Sequence, residues 1–137
     1  MIDQTDWEII RLLKENAKMQ LRDIGELVHL TGQAVSNRIQ RMEHLGIIRG
    51  YSVILDETLL GKTITAYITV FMKSTDHNSF QNYLKETAAV VEAARISGDG
   101  CYLLKVSVSS QEDLNQLLDR ILQYGNYRLN ISIGKVK

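Results

Sequence analysis

The sequence predicts an α+β chain in which an N-terminal helix-turn-helix precedes a ferredoxin-like βαββαβ domain. Apolar residues recur with helical spacing as far as Gly46, and from Ile64 onward they alternate in strand-like runs separated by two further helical segments. We therefore place a helix-turn-helix domain at residues 1–50, a linker strand at 51–62 and the βαββαβ domain at 63–137.

The first two helices are predicted from capping residues and apolar spacing. Asp3 suits the N-cap of the first helix, and Asp6 adds a second carboxylate at the same positive end of the helix dipole. The apolar face of this helix carries Ile9, Ile10, Leu12 and Leu13. The second helix is predicted from Arg22 to Val28, and its inward residues are Ile24, Leu27 and Val28.

The third helix is predicted from Gly32 to Leu45. Thr31 is a preferred N-cap residue, and Gly46 suits the position that follows the last helical turn. The apolar residues of this helix, which share one face, are Val35, Ile39, Met42 and Leu45. The residues from 47 to 55 are expected to form one or two extended segments.

The second half alternates strands and helices. The first strand, at residues 64–73, has an apolar face and a second face that carries Tyr67 and Phe71. A helix is predicted at 79–87, and strands at 90–96 and 101–108 flank a turn at 97–100. Ser110 and Asp113 form a capping box that opens the second helix. The last strand is predicted from the alternation of Leu129, Ile131 and Ile133.

Composition limits the functions that are open to the chain. It contains 16 Lys and Arg and 16 Asp and Glu, so the net charge is zero and nucleic-acid binding must come from a local patch. A single cysteine, Cys101, excludes an intrachain disulfide and fits a reducing compartment. Because the sequence shows neither a signal peptide nor an apolar run of about 20 residues, we expect a cytoplasmic protein that does not enter the membrane.

Candidate DNA-contacting residues lie on the third helix, which follows a tight turn at residues 29–31. The second helix of a helix-turn-helix enters the major groove, where Asn and Gln side chains can bond adenine and Arg can bond guanine or phosphate. The residues opposite or flanking the apolar stripe are Gln33, Ser36, Asn37, Arg38, Gln40 and Arg41. Arg38 lies beside the stripe, so bracing the first helix through Asp6 or Glu8 is an alternative role for it.

Three stretches of the first half resemble the Lrp/AsnC family of feast/famine regulators. They read Asp3-x-x-Asp6, Ile9-Ile10-x-Leu12-Leu13 and Val35-x-x-Arg38-Ile39-x-Arg41-Met42-Glu43-x-Leu45-Gly46-Ile47-Ile48-x-Gly50-Tyr51. The second half resembles the effector domain of that family. The resemblance implies a winged helix-turn-helix that binds double-stranded DNA and an effector domain that dimerises through its sheet. It further implies assembly into tetramers or octamers and an amino acid as ligand.

The resemblance also implies a ligand site at the turn between the second and third strands. In this chain the turn and the residues that follow it are Gly98, Asp99, Gly100, Cys101 and Tyr102. The backbone N–H groups of the glycines would receive a carboxylate, and Asp99 would pair with an ammonium group. Cys101 stands where the family usually has an aspartate, and glycines at a hairpin turn can serve only to supply a positive φ.

Three functions remain as alternatives. The favoured function is a sequence-specific transcriptional regulator modulated by a small molecule such as an amino acid. The second is an architectural protein that wraps or bridges DNA with low specificity, and the third is a metabolite-binding ferredoxin-like module that does not bind DNA. The three histidines lack metal-ligand spacing and no catalytic constellation is present, so we expect no metal, no cofactor and no enzymatic activity.

Overall fold

Five helices and a four-stranded sheet make up the computed structural model, which describes residues 1–137 and divides into the units Met1–Ile54 and Leu55–Lys137. The first unit contains α1 (Gln4–Glu15), α2 (Leu21–Val28) and α3 (Gly32–His44). The second contains β1 (Ile64–Met72), α4 (His77–Glu86), β2 (Val90–Arg95), β3 (Tyr102–Val108), α5 (Gln111–Ile121) and β4 (Gly125–Ile131). The predicted helices and the βαββαβ order are confirmed. None of the helices has the length and apolar character that a membrane span requires.

Side chains cap the helices at the predicted positions. The backbone N–H of Asp6 donates to the Asp3 carboxylate over 2.9 Å, and the N–H of Asp3 donates back to the Asp6 carboxylate over 3.0 Å. The hydroxyls of Thr31 and Ser110 each accept a backbone N–H three residues later, at 3.1 Å. Helix α4 begins two residues earlier than predicted because Asp76 caps it by accepting the N–H of Ser79.

The three-helix unit buries most of the apolar residues predicted on the inward faces of its helices. Two leucines predicted to point inward are exposed. Its core consists of Ile9, Leu12, Ile24, Val28, Val35, Ile39 and Met42. Leu27 is 58% exposed because the inward face of the short α2 is formed by residues 24 and 28, with Gly25 as their buried neighbour. Leu45 is 53% exposed because α3 ends one residue before it.

The turn between α2 and α3 depends on a glycine. A Cβ atom on Gly25 would lie 2.3 Å from the carbonyl oxygen of Leu30, so only glycine allows the loop to approach α2 this closely. The N–H of Leu30 donates to the Gly25 carbonyl over 2.9 Å, and His29 adopts a left-handed conformation with φ of 61°. Together they reverse the chain in three residues and place α3 against α2.

The extended segments expected at residues 47–55 do not form a sheet within the chain. Residues 45–63 contain no strand, so the linker strand predicted at 51–62 is not formed and the wing that the resemblance implies is absent. A strand needs a neighbouring strand to pair its backbone, and the chain offers none to these residues. Side chains such as those of Val53 and Ile54 are correspondingly open to solvent, whereas Ile48 packs against the core of the three helices.

The sheet has the strand order β2-β3-β1-β4, and all neighbouring strands are antiparallel. Helices α4 and α5 cover one face, where Ile68 of β1 lies between Leu104 of β3 and Leu129 of β4. The opposite face of β1 carries Thr65, Tyr67, Thr69 and Phe71, and no helix of the chain covers it. We call this surface the open sheet face.

The last strand starts and ends earlier than predicted. Strand β4 runs from Gly125 to Ile131 and therefore leaves out Ile133, which is fully exposed. The backbone approaches β1 so closely at Gly125 that a Cβ atom there would lie 2.2 Å from the Phe71 carbonyl oxygen. Glycine therefore allows pairing to begin at this position.

Candidate DNA interface and ligand domain

The outward face of α3 presents polar side chains to solvent at the positions predicted for DNA contact. Gln33, Asn37 and Gln40 are exposed, and Ser36 is half-buried beside them. The Gln33 amide donates to the Asn37 side-chain oxygen over 2.9 Å, which aligns the two amides one turn apart. This bond occupies one donor of Gln33 and one acceptor site of Asn37, and each amide retains further hydrogen-bonding capacity for a base edge.

Arg38 instead lies at the interface between α3 and α1. Its Nη1 atom donates to Asp3 and to Asp6, each over 2.9 Å. The Asp6 side chain is only 1% exposed, so its charge has left water and depends on these partners. The structure therefore shows the alternative role of Arg38, a brace to the first helix.

Arg41 shares the same anchor but remains more accessible. It reaches Asp6 over 3.5 Å and also donates to the backbone carbonyl of Met1. Its side chain is 45% exposed, compared with 31% for Arg38. Of the two predicted arginines, Arg41 is thus the one that can still turn towards a phosphate.

These ion pairs alter the electrostatics of the unit. The Arg38 guanidinium lowers the pKa of Asp3 by hydrogen bonding, and the two aspartates in turn raise the pKa of Arg38. Residues 1–54 contain seven Lys and Arg and seven Asp and Glu, so the unit has no net charge to attract DNA over a distance. DNA recognition must therefore depend on short-range contacts.

The turn predicted to hold the ligand forms a tight, exposed hairpin. Gly98 and Gly100 have φ of 86° and 97°, and the N–H of Cys101 donates to the Val70 carbonyl over 2.8 Å. Asp99 is exposed and makes no ion pair within the chain. Gly100 rests against Thr69, so the glycines do have the conformational role that we gave as the alternative.

Tyr102, the fifth residue predicted at the ligand site, belongs to the core. It is 2% exposed, and its ring meets that of Phe80 edge to face at a centroid distance of 4.9 Å. Its hydroxyl lies 2.8 Å from Nδ1 of His77 and accepts the Gln81 amide over 3.1 Å. The structure thus brings the other four predicted residues together in the hairpin and turns Tyr102 towards α4.

Comparison with known protein families covers both units. The model of the AsnC-type helix-turn-helix domain matches residues 2–43, and that of the Lrp/AsnC ligand binding domain matches residues 65–137. The chain belongs to the Lrp/AsnC family. The regulator LrpB of Bacillus subtilis is 48% identical over 99% of this Lrp/AsnC chain and 91% of its own length. LrpA of the same organism is 33% identical over 98% of this chain and 100% of its own length.

Solved structures of other transcriptional regulators share the fold of this chain. The structure of LrpC from Bacillus subtilis superposes with a TM-score of 0.95 at 25% identity, over 100% of this chain and 98% of that one. A regulator from Neisseria meningitidis, solved as a complex with L-Met, shares the fold with a TM-score of 0.93 at 22% identity and covers 100% of this chain and 93% of its own.

Membership of the Lrp/AsnC family decides between the broad functions. The chain is a DNA-binding transcriptional regulator with a ligand-binding domain, as predicted, and its relatives are regulators and not enzymes. The alternative of a ferredoxin-like module without DNA binding is therefore wrong. The structure brings together no group of three or more His, Cys, Asp or Glu side chains that could hold a metal ion.

Proposed function

We propose that this Lrp/AsnC regulator recognises specific operator sequences through the outward face of α3 and responds to an amino acid. The observation that carries the proposal is the contrast within α3. Gln33, Asn37 and Gln40 are exposed and make no side-chain hydrogen bond outside α3, whereas Arg38 is committed to Asp3 and Asp6. Arg41 would contact a phosphate, and Ser36 a phosphate or a base.

The charge balance favours sequence-specific binding over the architectural alternative. Binding without specificity depends on neutralising phosphates and releasing counterions, which requires a basic surface. The helix-turn-helix unit has no net charge, and its two central arginines already have acidic partners. Each copy should therefore bind non-specific DNA weakly, and several copies would be needed for a stable complex.

The open sheet face supports dimerisation. It places Tyr67 and Phe71 on the central strand without a covering helix, and Leu103 of β3 extends the apolar surface. Packing of a second copy against this face would remove the aromatic surface from water. Further assembly of dimers into tetramers or octamers forms part of the same proposal and would supply several DNA-binding units.

An amino acid is the ligand class that the domain supports. The Lrp/AsnC ligand binding domain spans residues 65–137, and the Neisseria meningitidis relative was solved with L-Met. Gly98 is exposed and Gly100 half-buried in the hairpin, and Asp99 between them carries a carboxylate without an ion pair. The backbone N–H groups of the glycines would receive the ligand carboxylate. Cys101, which follows the turn, would also contact the ligand. A ligand can change DNA binding only if it has different affinities for two states of the assembly.

The test is selection of bound sequences from a random DNA library, followed by mobility-shift titrations at several salt concentrations. We expect one enriched motif, at least about 10³-fold preference over random DNA, and an affinity that changes when one of the twenty amino acids is added. Equal affinity for all sequences with a steep salt dependence would instead identify an architectural protein. Specific binding that no amino acid alters would remove the effector part of the proposal alone.

A further inference from the structure

Arg49 is the only arginine of residues 1–54 that has no carboxylate partner within the chain. The other arginines of this unit each lie within 3.9 Å of an aspartate or glutamate oxygen, and they are Arg11, Arg22, Arg38 and Arg41. Arg49 is exposed to solvent. Its guanidinium therefore keeps its hydrogen-bond donors for an external anion.

A Schellman turn closes the C-terminus of α3 and fixes the chain as far as Ile48. The N–H of Gly46 donates to the Glu43 carbonyl over 3.0 Å, and the N–H of Ile47 donates to the Met42 carbonyl over 2.9 Å. The N–H of Ile48 also donates to the Met42 carbonyl, over 3.1 Å, and its side chain packs against the core of the three helices. The next residue therefore starts from a fixed position beside the last turn of α3.

Tyr51 anchors the chain on the other side of Arg49. Partial burial raises the pKa of the Tyr51 phenol, and the carboxylate of Glu43 raises it further, so the two side chains are neighbours. The segment is thus held by Ile48 against the helical core and by Tyr51 beside Glu43. Arg49 lies between these two contacts along the chain, on the flank of α3 that carries Glu43.

The flank of α3 that carries Glu43 is opposite the flank that carries Arg41. The two residues are two positions apart, which corresponds to about 200° around a helix. The exposed amides of Asn37 and Gln40 lie on the outward arc between them. Arg41 and Arg49 therefore lie on either side of the face that we propose to read base edges.

We propose that Arg49 is a second phosphate contact of the helix-turn-helix unit and holds α3 in the major groove from the side opposite Arg41. A helix in this groove lies between the phosphates of two strands, and in homeodomains the C-terminal end of the recognition helix contacts the backbone. A phosphate contact fixes the orientation of the protein and carries no sequence information. The inference applies to any DNA duplex, so it does not depend on the proposed recognition of specific operators.

The test uses the full chain in mobility-shift titrations at several salt concentrations, with a selected operator and with a random-sequence duplex of the same length. Arg49→Gln should weaken binding to both duplexes by about tenfold. It should also reduce the slope of log affinity against log salt by about 1 for each bound helix-turn-helix unit, and leave the preference for the operator unchanged. Arg49→Lys keeps the charge, so it should keep the salt slope and most of the affinity.

Arg11→Gln is the matched control. It removes the same charge from the same unit, but Arg11 lies on α1 and pairs with Glu15 over 3.4 Å, so DNA affinity and salt slope should not change. Equal losses in the two variants would reflect net charge alone and overturn the contact, as would an unchanged salt slope in Arg49→Gln. A loss confined to the operator would make Arg49 a base contact instead. If no sequence is enriched in the selection, operator recognition fails, while the random-sequence duplex still tests Arg49. Because Arg49 is exposed, the melting temperature of each variant should equal that of the wild type.

Discussion

The guanidinium of Arg38 donates to the buried carboxylate of Asp6 across 2.9 Å and so joins α3 to α1. Asp6 simultaneously closes the capping box of α1 with Asp3 and reaches Arg41 at 3.5 Å. One buried carboxylate therefore fixes the start of α1 and the position of α3.

Asp6→Asn should destabilise the helix-turn-helix unit. The amide retains the shape and one acceptor of the carboxylate but removes its charge from two arginines, which can partly return to water. We expect the free energy of unfolding to fall by about 1–3 kcal/mol. Urea unfolding followed by the fluorescence of Trp7, the only tryptophan, measures this unit. Glu8→Gln alters a carboxylate without such contacts, and an equally large loss there would contradict the anchoring role.

Acid should weaken the same unit through Asp3. The hydrogen bond from Arg38 lowers the pKa of Asp3 below its ordinary value of 3.8. The ionised carboxylate therefore stabilises the fold above pH 3.8, and this contribution is lost as the pH falls from 3.8 through the lowered pKa. In Asp3→Asn, unfolding monitored through Trp7 should depend less on pH in this window. Asp119→Asn, an exposed change in α5, should retain the wild-type dependence.

Two amides of α3 should carry base preference. Asn37→Ala and Gln40→Ala remove exposed side chains, so the fold should be unchanged while each lost base contact costs about 1–3 kcal/mol of discrimination. Competition titrations with the selected operator and single-base variants measure this preference. Gln116→Ala, an exposed amide on α5, serves as the control. If both α3 variants kept wild-type selectivity, the DNA-reading surface would lie elsewhere.

The parts of the fold that the sequence predicts correctly are those governed by local chemistry. Caps such as Thr31 and the two-residue alternation of β1 depend on neighbours in sequence, so spacing alone identifies them. The ends of helices and strands are harder to predict, because the apolar periodicity of the sequence continues past the last residue of the element. It does so at Leu45, after α3, and at Ile133, after β4. Apolar residues there have no partner within one chain.

The features of the candidate sites also divide into those that local sequence patterns predict and those that only the folded chain shows. The outward face of α3 follows from its apolar stripe. The sequence leaves two roles open for Arg38, and only the folded structure shows its hydrogen bond to Asp6, a residue 32 positions away. The place of Tyr102 in the core could not be predicted, because the partners of its hydroxyl, His77 and Gln81, lie on α4, more than 20 positions away. The close approach at Gly25 likewise becomes visible only when the carbonyl of Leu30 is placed.

Two glycines of one hairpin should differ in their tolerance of alanine. Both have a positive φ, but a Cβ atom on Gly100 would lie 2.5 Å from the Thr69 methyl carbon, whereas Gly98 has open space. Gly98→Ala should cost about 1–2 kcal/mol from backbone strain, and Gly100→Ala should cost more. Thr69→Ser removes the obstructing methyl group. In the Gly100→Ala background it should therefore recover the stability that Gly100→Ala loses beyond the loss in Gly98→Ala. Additive losses in this double-mutant cycle would contradict a direct contact.

The open sheet face should mediate dimerisation. Tyr67 lies on the central strand of this face and is 41% exposed in the single chain. In a two-fold dimer each copy would contribute one aspartate, so Tyr67→Asp would bury two unpaired charges in the interface. We therefore expect the dimer Kd to rise by about 100-fold or more. Leu122→Asp is the matched control, because Leu122 is similarly exposed at 43% but follows α5, on the helical side of the sheet. Sedimentation velocity over a concentration series measures both. A wild type that stays monomeric at micromolar concentration, or equal dissociation of the two variants, would exclude this face as the interface.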